Sequence, residues 1–183
     1  MIVVCRITTH CNLACSFCAY DKQLPFQRKS IDIESILHLG RMLAEYSQIS
    51  NDKILFSWLG GEPFLWLDLF KVSELFKNVF GFAVSATTNG TTLHLDTTKE
   101  KIIQSFNELT ISLDGLENFH NNSRGFTNGW QKIKLAIKDL ANRKEQKKSS
   151  LKLRANILLM HQNLDQFNEL CLELASWGFH LFL

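Results

Sequence analysis

Apolar, β-rich runs alternate along this chain with segments whose apolar residues recur every three to four positions. That alternation predicts parallel strands joined by crossover helices. The predicted strands are Ile2–Ile7, Lys53–Trp58, Phe82–Thr87, Glu108–Leu113, Leu151–Leu158 and Phe179–Leu183. Most read as near-continuous apolar runs, the pattern of strands buried on both faces. Between them, Asp32 is placed to cap a helix carrying Ile33, Ile36, Leu37 and Leu43, and Leu69, Val72, Phe76 and Val79 form a second stripe. A shorter helix is expected from Asp96 to Ser105, a fourth carries Trp130, Ile133, Ile137 and Leu140, and a fifth carries Leu164, Phe167, Leu170 and Leu174. The fifth should close near Gly178, since glycine accommodates the positive φ that ends many helices.

The expected class is therefore α/β. At 183 residues the chain fits one domain with a core of its own, burying roughly 70% of its unfolded surface without disulfide staples. The last run, Phe179–Leu183, has no covering helix after it, so a domain spanning residues 1–183 is expected to be cut off after its sixth strand.

Twenty basic residues stand against 18 acidic ones, a net charge of +2, which gives no bulk-charge argument for a nucleic-acid partner. Six of the basic residues crowd between Arg143 and Arg154, a pattern expected of a helix C-terminus and a solvated loop. No stretch reaches the length of a membrane span, and no signal-peptide core precedes the first strand. A cytoplasmic protein is the expectation. Five cysteines, three of them within eight residues, suit metal ligation in a reducing compartment better than a disulfide framework.

That trio is Cys11, Cys15 and Cys18, spaced C-x3-C-x2-C in the loop leaving the first strand. Ligands bind at that end of α/β folds. Three thiolates from one loop can hold a [4Fe-4S] cube and leave one iron without a protein ligand. A Cys3His zinc site that includes His10 is the competing reading. The next strand runs into Trp58-Leu59-Gly60-Gly61-Glu62-Pro63, where the glycines permit close backbone approach and the Glu62 carboxylate could receive an ammonium group.

Together these residues resemble the radical S-adenosylmethionine (SAM) superfamily. The likeness runs through Cys11-Asn-Leu-Ala-Cys15-Ser-Phe17-Cys18, Gly60-Gly61-Glu62-Pro63, Thr88-Asn89-Gly90 and Ser112-Leu113-Asp114-Gly115. It implies a partial (β/α)6 TIM-like barrel lacking its last covering helix. It also implies an enzyme that uses a [4Fe-4S] cluster and SAM to release a 5'-deoxyadenosyl radical. By the same resemblance Cys11, Cys15 and Cys18 hold three irons, the Gly60–Pro63 turn (Gly60, Gly61, Glu62, Pro63) holds the methionine ammonium, and Phe17 lies beside the adenine. Ser112, leaving the fourth strand, belongs to the cofactor-binding set, and Arg124 is the implied partner of the methionine carboxylate, which a guanidinium binds through paired hydrogen bonds. Asn89 belongs to the same cofactor-binding set, Asn156 reaches the ribose, and Phe182 or Leu183 touches adenine. The barrel is expected to be lined with Phe, Leu and Ile, and to exclude water from the radical.

The stretch from Ile111 through Phe119-His120-Asn121, Arg124-Gly125 and Trp130 resembles the branch that modifies peptides and proteins, whose members often carry SPASM or twitch extensions. The implied partners are a peptide or protein substrate and an external flavodoxin- or ferredoxin-like electron donor. A radical SAM enzyme of small-molecule cofactor biosynthesis is the alternative, and a non-catalytic iron-sulfur or zinc module a third reading. Tyr20, Asp21, Lys22, Leu24, Pro25 and Arg28 could shape the surroundings of the cluster, while Cys5 and Cys171 read as packing residues. His94, His120 and His161 are separated by loops and give no acid-base pair.

Overall fold

The computed structural model describes residues 1–18 and 29–179. Five strands, β1 (Ile2–Thr8), β2 (Leu55–Gly60), β3 (Ala83–Thr88), β4 (Glu108–Ser112) and β5 (Lys152–Asn156), form one parallel sheet in sequence order. The sheet is open. The expected sixth strand lies almost wholly outside the described residues, and so do Phe182 and Leu183 and the segment from Tyr20 to Arg28.

Six helices cross between the strands or follow the last: α1 (Ile33–Ser50), α2 (Leu69–Asn78), α3 (Asp96–Ser105), α4 (Glu117–Arg124), α5 (Gly129–Gln146) and α6 (Phe167–Ala175). Asp32 caps α1 as its sequence suggests, its carboxylate accepting from Ser35 N at 2.8 Å. Ile33, Ile36, Leu37 and Leu43 all reach the core from that helix. Two stripe ends do not pack: Val79 falls beyond the end of α2 and Leu164 sits in a 3-10 turn before α6, both largely exposed. Helix α4 has no apolar period to announce it; what it buries is polar, His120 and Arg124, four residues apart on one face.

The strands are not buried on both faces, which corrects the reading of them as continuous apolar runs. Val3, Cys5 and Ile7 of β1, Phe56 and Trp58 of β2, and Leu109 and Ile111 of β4 pack into the core. Trp58 Nε1 donates to Ser73 Oγ on α2 at 2.8 Å, and the Phe56 and Phe76 rings meet edge to face at 4.9 Å. This side therefore faces the helices. The alternate residues carry a different chemistry: Ser57, Ser85, Thr87, Thr110, Arg154 and Asn156. That face also carries Ile2, Val4, Leu55 and Leu59, so the interior expected to be lined with Phe, Leu and Ile is mixed, apolar toward β1 and β2 and polar toward β4 and β5. The basic stretch is paired as well as solvated: Arg143 binds Asp96, Glu100 and Asp139, and Arg154 binds Glu108.

Candidate functional site

Every described strand ends at the same rim, and the loop from Cys11 to Cys18 leaves β1 there. The register between β1 and β2 slips between Arg6 and Thr8, a local irregularity that re-aims the chain as it enters the loop. The loop is then stitched to the turn after β2. Gly61 N donates to Thr8 O at 2.8 Å and Glu62 N donates to His10 O at 2.7 Å. A Cβ on Gly61 would stand 2.2 Å from His10 O, so the two backbones approach closely because this residue has no side chain. At its far end the loop is fastened to α4, where Ser16 N donates to Ser123 O at 3.0 Å.

Cys11, Cys15, Phe17 and Cys18 line one cleft of about 180 Å³ together with Gly60, Gly61, Asn89, Ser112, Arg124 and Asn156. This brings all three cysteines and seven of the nine residues expected to contact the cofactor onto one cavity, Phe17 among them and only Glu62 and Pro63 missing. Burial pushes the Cys15 thiol up, an effect the Arg124 guanidinium opposes. Asn89 serves as a strut: its Nδ2 donates to Asn12 Oδ1 at 2.9 Å and lies 3.7 Å from Cys11 Sγ. Among the described residues no three His, Cys, Asp or Glu side chains converge on a point that one metal ion could occupy. A cube spreads its thiolates over separate irons and needs no such single point, whereas the Cys3His zinc reading does and finds no geometric support among the described residues.

Glu62 departs from the expectation placed on it. Its carboxylate is fully buried and does not line the cleft; it accepts from Phe64 N at 3.1 Å, Thr88 Oγ1 at 2.8 Å and Asn89 N at 2.7 Å. Three donors of this chain already engage the two oxygens that were expected to receive an ammonium group. Burial pushes the Glu62 carboxyl up to about 7, against the pull of those donors. Pro63 is also buried, opening the short 3-10 turn Pro63–Leu65.

Arg124, at the end of α4, is buried and lines the cleft, its guanidinium 5.5 Å from the Phe17 ring. Asp114, from the turn after β4, holds it: Arg124 Nε and Nη2 both lie 2.7 Å from Asp114 Oδ2. The other oxygen of Asp114 accepts from Leu158 N at 3.1 Å. Asn163 completes the clamp, accepting from Met160 N at 2.6 Å and donating to Leu158 O at 2.8 Å. Beyond Phe17 lies a second hollow of about 390 Å³, lined by Phe17, Ser123, Met160 and Gln162 among others. Sequence reasoning assigned no role to Asp114, Asn163 or this hollow. Asp114 stood inside a motif already quoted, and the buried charge of Arg124 was the signal that it needed a partner.

Residues 5–174 match the radical SAM superfamily. The chain is 31% identical over 146 residues to a GTP 3',8-cyclase of Haemophilus influenzae, covering 70% of this chain and 42% of that protein. It is 23% identical over 185 residues to an AdoMet-dependent heme synthase of Methanosarcina barkeri, covering 99% of this chain and 50% of that one. It thus spans half or less of these curated relatives. In fold it is similar to Streptococcus suis SuiB, solved with S-adenosylmethionine (TM-score 0.72, 20% identity, 97% of this chain and 38% of SuiB) and with the precursor peptide SuiA (TM-score 0.70). The match to the superfamily takes in the cysteine loop, all five strands and the clamp that orients Arg124, and by it this chain belongs to the radical SAM superfamily.

Proposed function

We propose that this chain is the SAM-cleaving core of an enzyme that takes a hydrogen atom from its substrate. The observation that carries the reading is the convergence of Cys11, Cys15, Cys18, the Gly60–Gly61 turn, Asn89, Ser112, Arg124 and Asn156 on one cleft. Bound there, the [4Fe-4S] cluster and SAM supply reductive cleavage of the sulfonium to a 5'-deoxyadenosyl radical.

The residues of the chain position and shield that chemistry. Cys11, Cys15 and Cys18 hold three irons, and the backbone of the Gly60–Gly61 turn, bared of side chains, seats the methionine ammonium. Arg124, fixed by Asp114, offers its remaining N–H groups to the methionine carboxylate beside Ser112. Phe17 lines both the cleft and the 390 Å³ hollow, so its ring would lie beside the adenine, and Asn156, which also lines the cleft, would reach the ribose. An external one-electron donor of the flavodoxin or ferredoxin kind supplies the reducing equivalent.

For the substrate, a peptide or protein side chain is the first reading, supported by the likeness of the Ile111–Trp130 region to the peptide-modifying branch and by the fold shared with SuiB. A small molecule is the second, favoured by the 31% identity to a GTP 3',8-cyclase. Anaerobic reconstitution with iron and sulfide should give a broad brown absorbance, and reduction with SAM should yield 5'-deoxyadenosine. A folded protein that takes up iron and sulfide yet releases none would refute the proposal. Comparing the gene's neighbours separates the substrates: a short precursor gene supports the peptide, a cofactor pathway the small molecule.

A further inference from the structure

Strand β3 runs into Thr88-Asn89-Gly90-Thr91, and this turn reaches the cysteine loop through one buried side chain, that of Asn89. An amide offers two acceptor and two donor positions, and this one uses them all. Oδ1 accepts from Thr91 N at 3.0 Å and from Thr91 Oγ1 at 2.7 Å. Nδ2 donates one proton to Asn12 Oδ1 at 2.9 Å and aims the other at Cys11 Sγ, 3.7 Å away. Because Thr91 N can only donate, it fixes which end of the amide is oxygen and which is nitrogen.

The contacts close into a ring. Asn12 Nδ2 donates to Thr91 Oγ1 at 2.8 Å, Thr91 Oγ1 donates to Asn89 Oδ1, and Asn89 Nδ2 donates to Asn12 Oδ1. All three bonds run in the same sense, so they polarise one another, and the proton left over points at sulfur. From below, Glu62 Oε2 accepts from Asn89 N at 2.7 Å and holds the backbone of the turn. Asn12 is exposed, so water would satisfy its amide equally well; what its place in the ring adds is the aim of Asn89. Cys11 Sγ also accepts from Leu13 N at 3.5 Å, and two N–H groups thus converge on this sulfur.

Resting on the reading of Cys11, Cys15 and Cys18 as iron ligands, we propose that Asn89 is a positioning residue for the Cys11 thiolate, aimed by Asn12 and Thr91, and that with Leu13 N it sets the potential at which the cluster takes up its electron. Hydrogen bonds to a ligating sulfur draw charge from it, favour the more negative reduced form and so raise the potential. The ring predicts a graded series. Removing the Asn89 amide deletes one of the two donors to Cys11, whereas opening the ring at Thr91 leaves that donor in place but less polarised.

The test is a redox titration of the anaerobically reconstituted 183-residue chain followed by electron paramagnetic resonance, with iron and sulfide content measured alongside. At the parent's midpoint potential, Asn89→Ala should lower the ratio of reduced to oxidised cluster about tenfold, a downward shift of about 59 mV for one electron. Thr91→Val keeps the side-chain volume and the backbone donor but opens the ring, and should lower the ratio about threefold. A residue that only holds the loop would change how much cluster forms and leave the potential of that cluster where it was. A midpoint in Asn89→Ala equal to or above the parent's therefore overturns the proposal. Should Asn89→Ala assemble no cluster, Thr91→Val decides, and a midpoint equal to or above the parent's again overturns it. A folded parent chain that takes up no iron and sulfide strikes the proposed function, and this inference with it.

Discussion

Arg124 places Nε and Nη2 each 2.7 Å from a single oxygen of Asp114, and both side chains are buried. The pair neutralises two charges that burial would otherwise penalise, and it leaves the outer edge of the guanidinium directed by the carboxylate behind it. Asp114→Asn keeps an oxygen for Leu158 N but removes the charge that orients Arg124. We expect SAM to bind about tenfold more weakly, a loss of about 1.4 kcal/mol. 5'-Methylthioadenosine, which lacks the carboxylate, should bind the variant and the parent alike. Calorimetric titration of both ligands checks this, and an equal loss for the two would show that Asp114 merely holds the fold.

Gly61 tests how the cysteine loop is held. An added Cβ meets His10 O at 2.2 Å and His10 C at 2.6 Å, both backbone atoms that cannot step aside without moving the loop. Gly61→Ala should cost about 2–4 kcal/mol and lower iron retention after reconstitution. Gly81→Ala is the control: Gly81 has φ +73 but nothing within 4 Å of its added Cβ, so strain alone of about 1 kcal/mol is expected, with iron loading intact. Urea unfolding and iron analysis read both effects.

Much of this architecture was legible because helices and strands announce themselves by period. The helix stripes on α1, α2 and α5, Val79 aside, and the capping role of Asp32 follow directly from side-chain spacing. Helix α4 was hidden because its buried face is made of His120 and Arg124, which hydrophobic periodicity cannot register. The pairing of Glu108 with Lys152 and of Thr110 with Arg154 was hidden for another reason: these residues sit on different strands and meet only through register. The cysteine loop and the Gly-Gly-Glu-Pro turn stood out as motifs, yet spacing alone could not say that the Glu62 carboxylate is fully buried on Thr88 and Asn89 and does not line the cavity.

Glu62→Gln should expose that orientation. The Oε1 atom accepts from Phe64 N and Thr88 Oγ1, and Oε2 accepts from Asn89 N, so an amide nitrogen at either position confronts a backbone N–H. The expected loss is about 1–3 kcal/mol, the cost of a buried polar group facing the wrong partner. Because Asn89 leans toward Cys11 Sγ, the same variant should perturb the spectrum of the reconstituted cluster. Chemical denaturation showing a change below about 0.5 kcal/mol would contradict this account of the turn.

The pH dependence of stability combines two buried groups of opposite sign. His120 is fully buried against Trp130 with neither ring nitrogen hydrogen-bonded, and burial, aided by Arg124, lowers its pKa from 6.5 to about 3. The unfolded chain takes up this proton below pH 6.5 and the folded chain does not until about pH 3. Stability from His120 is therefore complete above 6.5 and lost as the pH falls through that window. Glu62 runs the other way. Its folded pKa is raised from 4.5 to about 7, so the folded chain keeps a proton, which can be shared with Thr88 Oγ1, that the unfolded chain releases above 4.5. Its contribution is complete below 4.5 and lost as the pH rises toward 7. Each slope is about 1 kcal/mol per pH unit. Their sum predicts stability that climbs from pH 3 to 4.5, stays nearly level to 6.5, and declines slightly to 7. His120→Phe keeps an aromatic ring against Trp130 and removes the first effect, so its profile should climb less steeply than the parent's below pH 4.5, where the paired surface carboxylates still contribute, and fall from 4.5 to 7. Denaturation midpoints across pH 3.5–7.5 measure both curves, and parallel profiles for the parent and His120→Phe would show that the imidazole takes up its proton in the folded chain as readily as in the unfolded one.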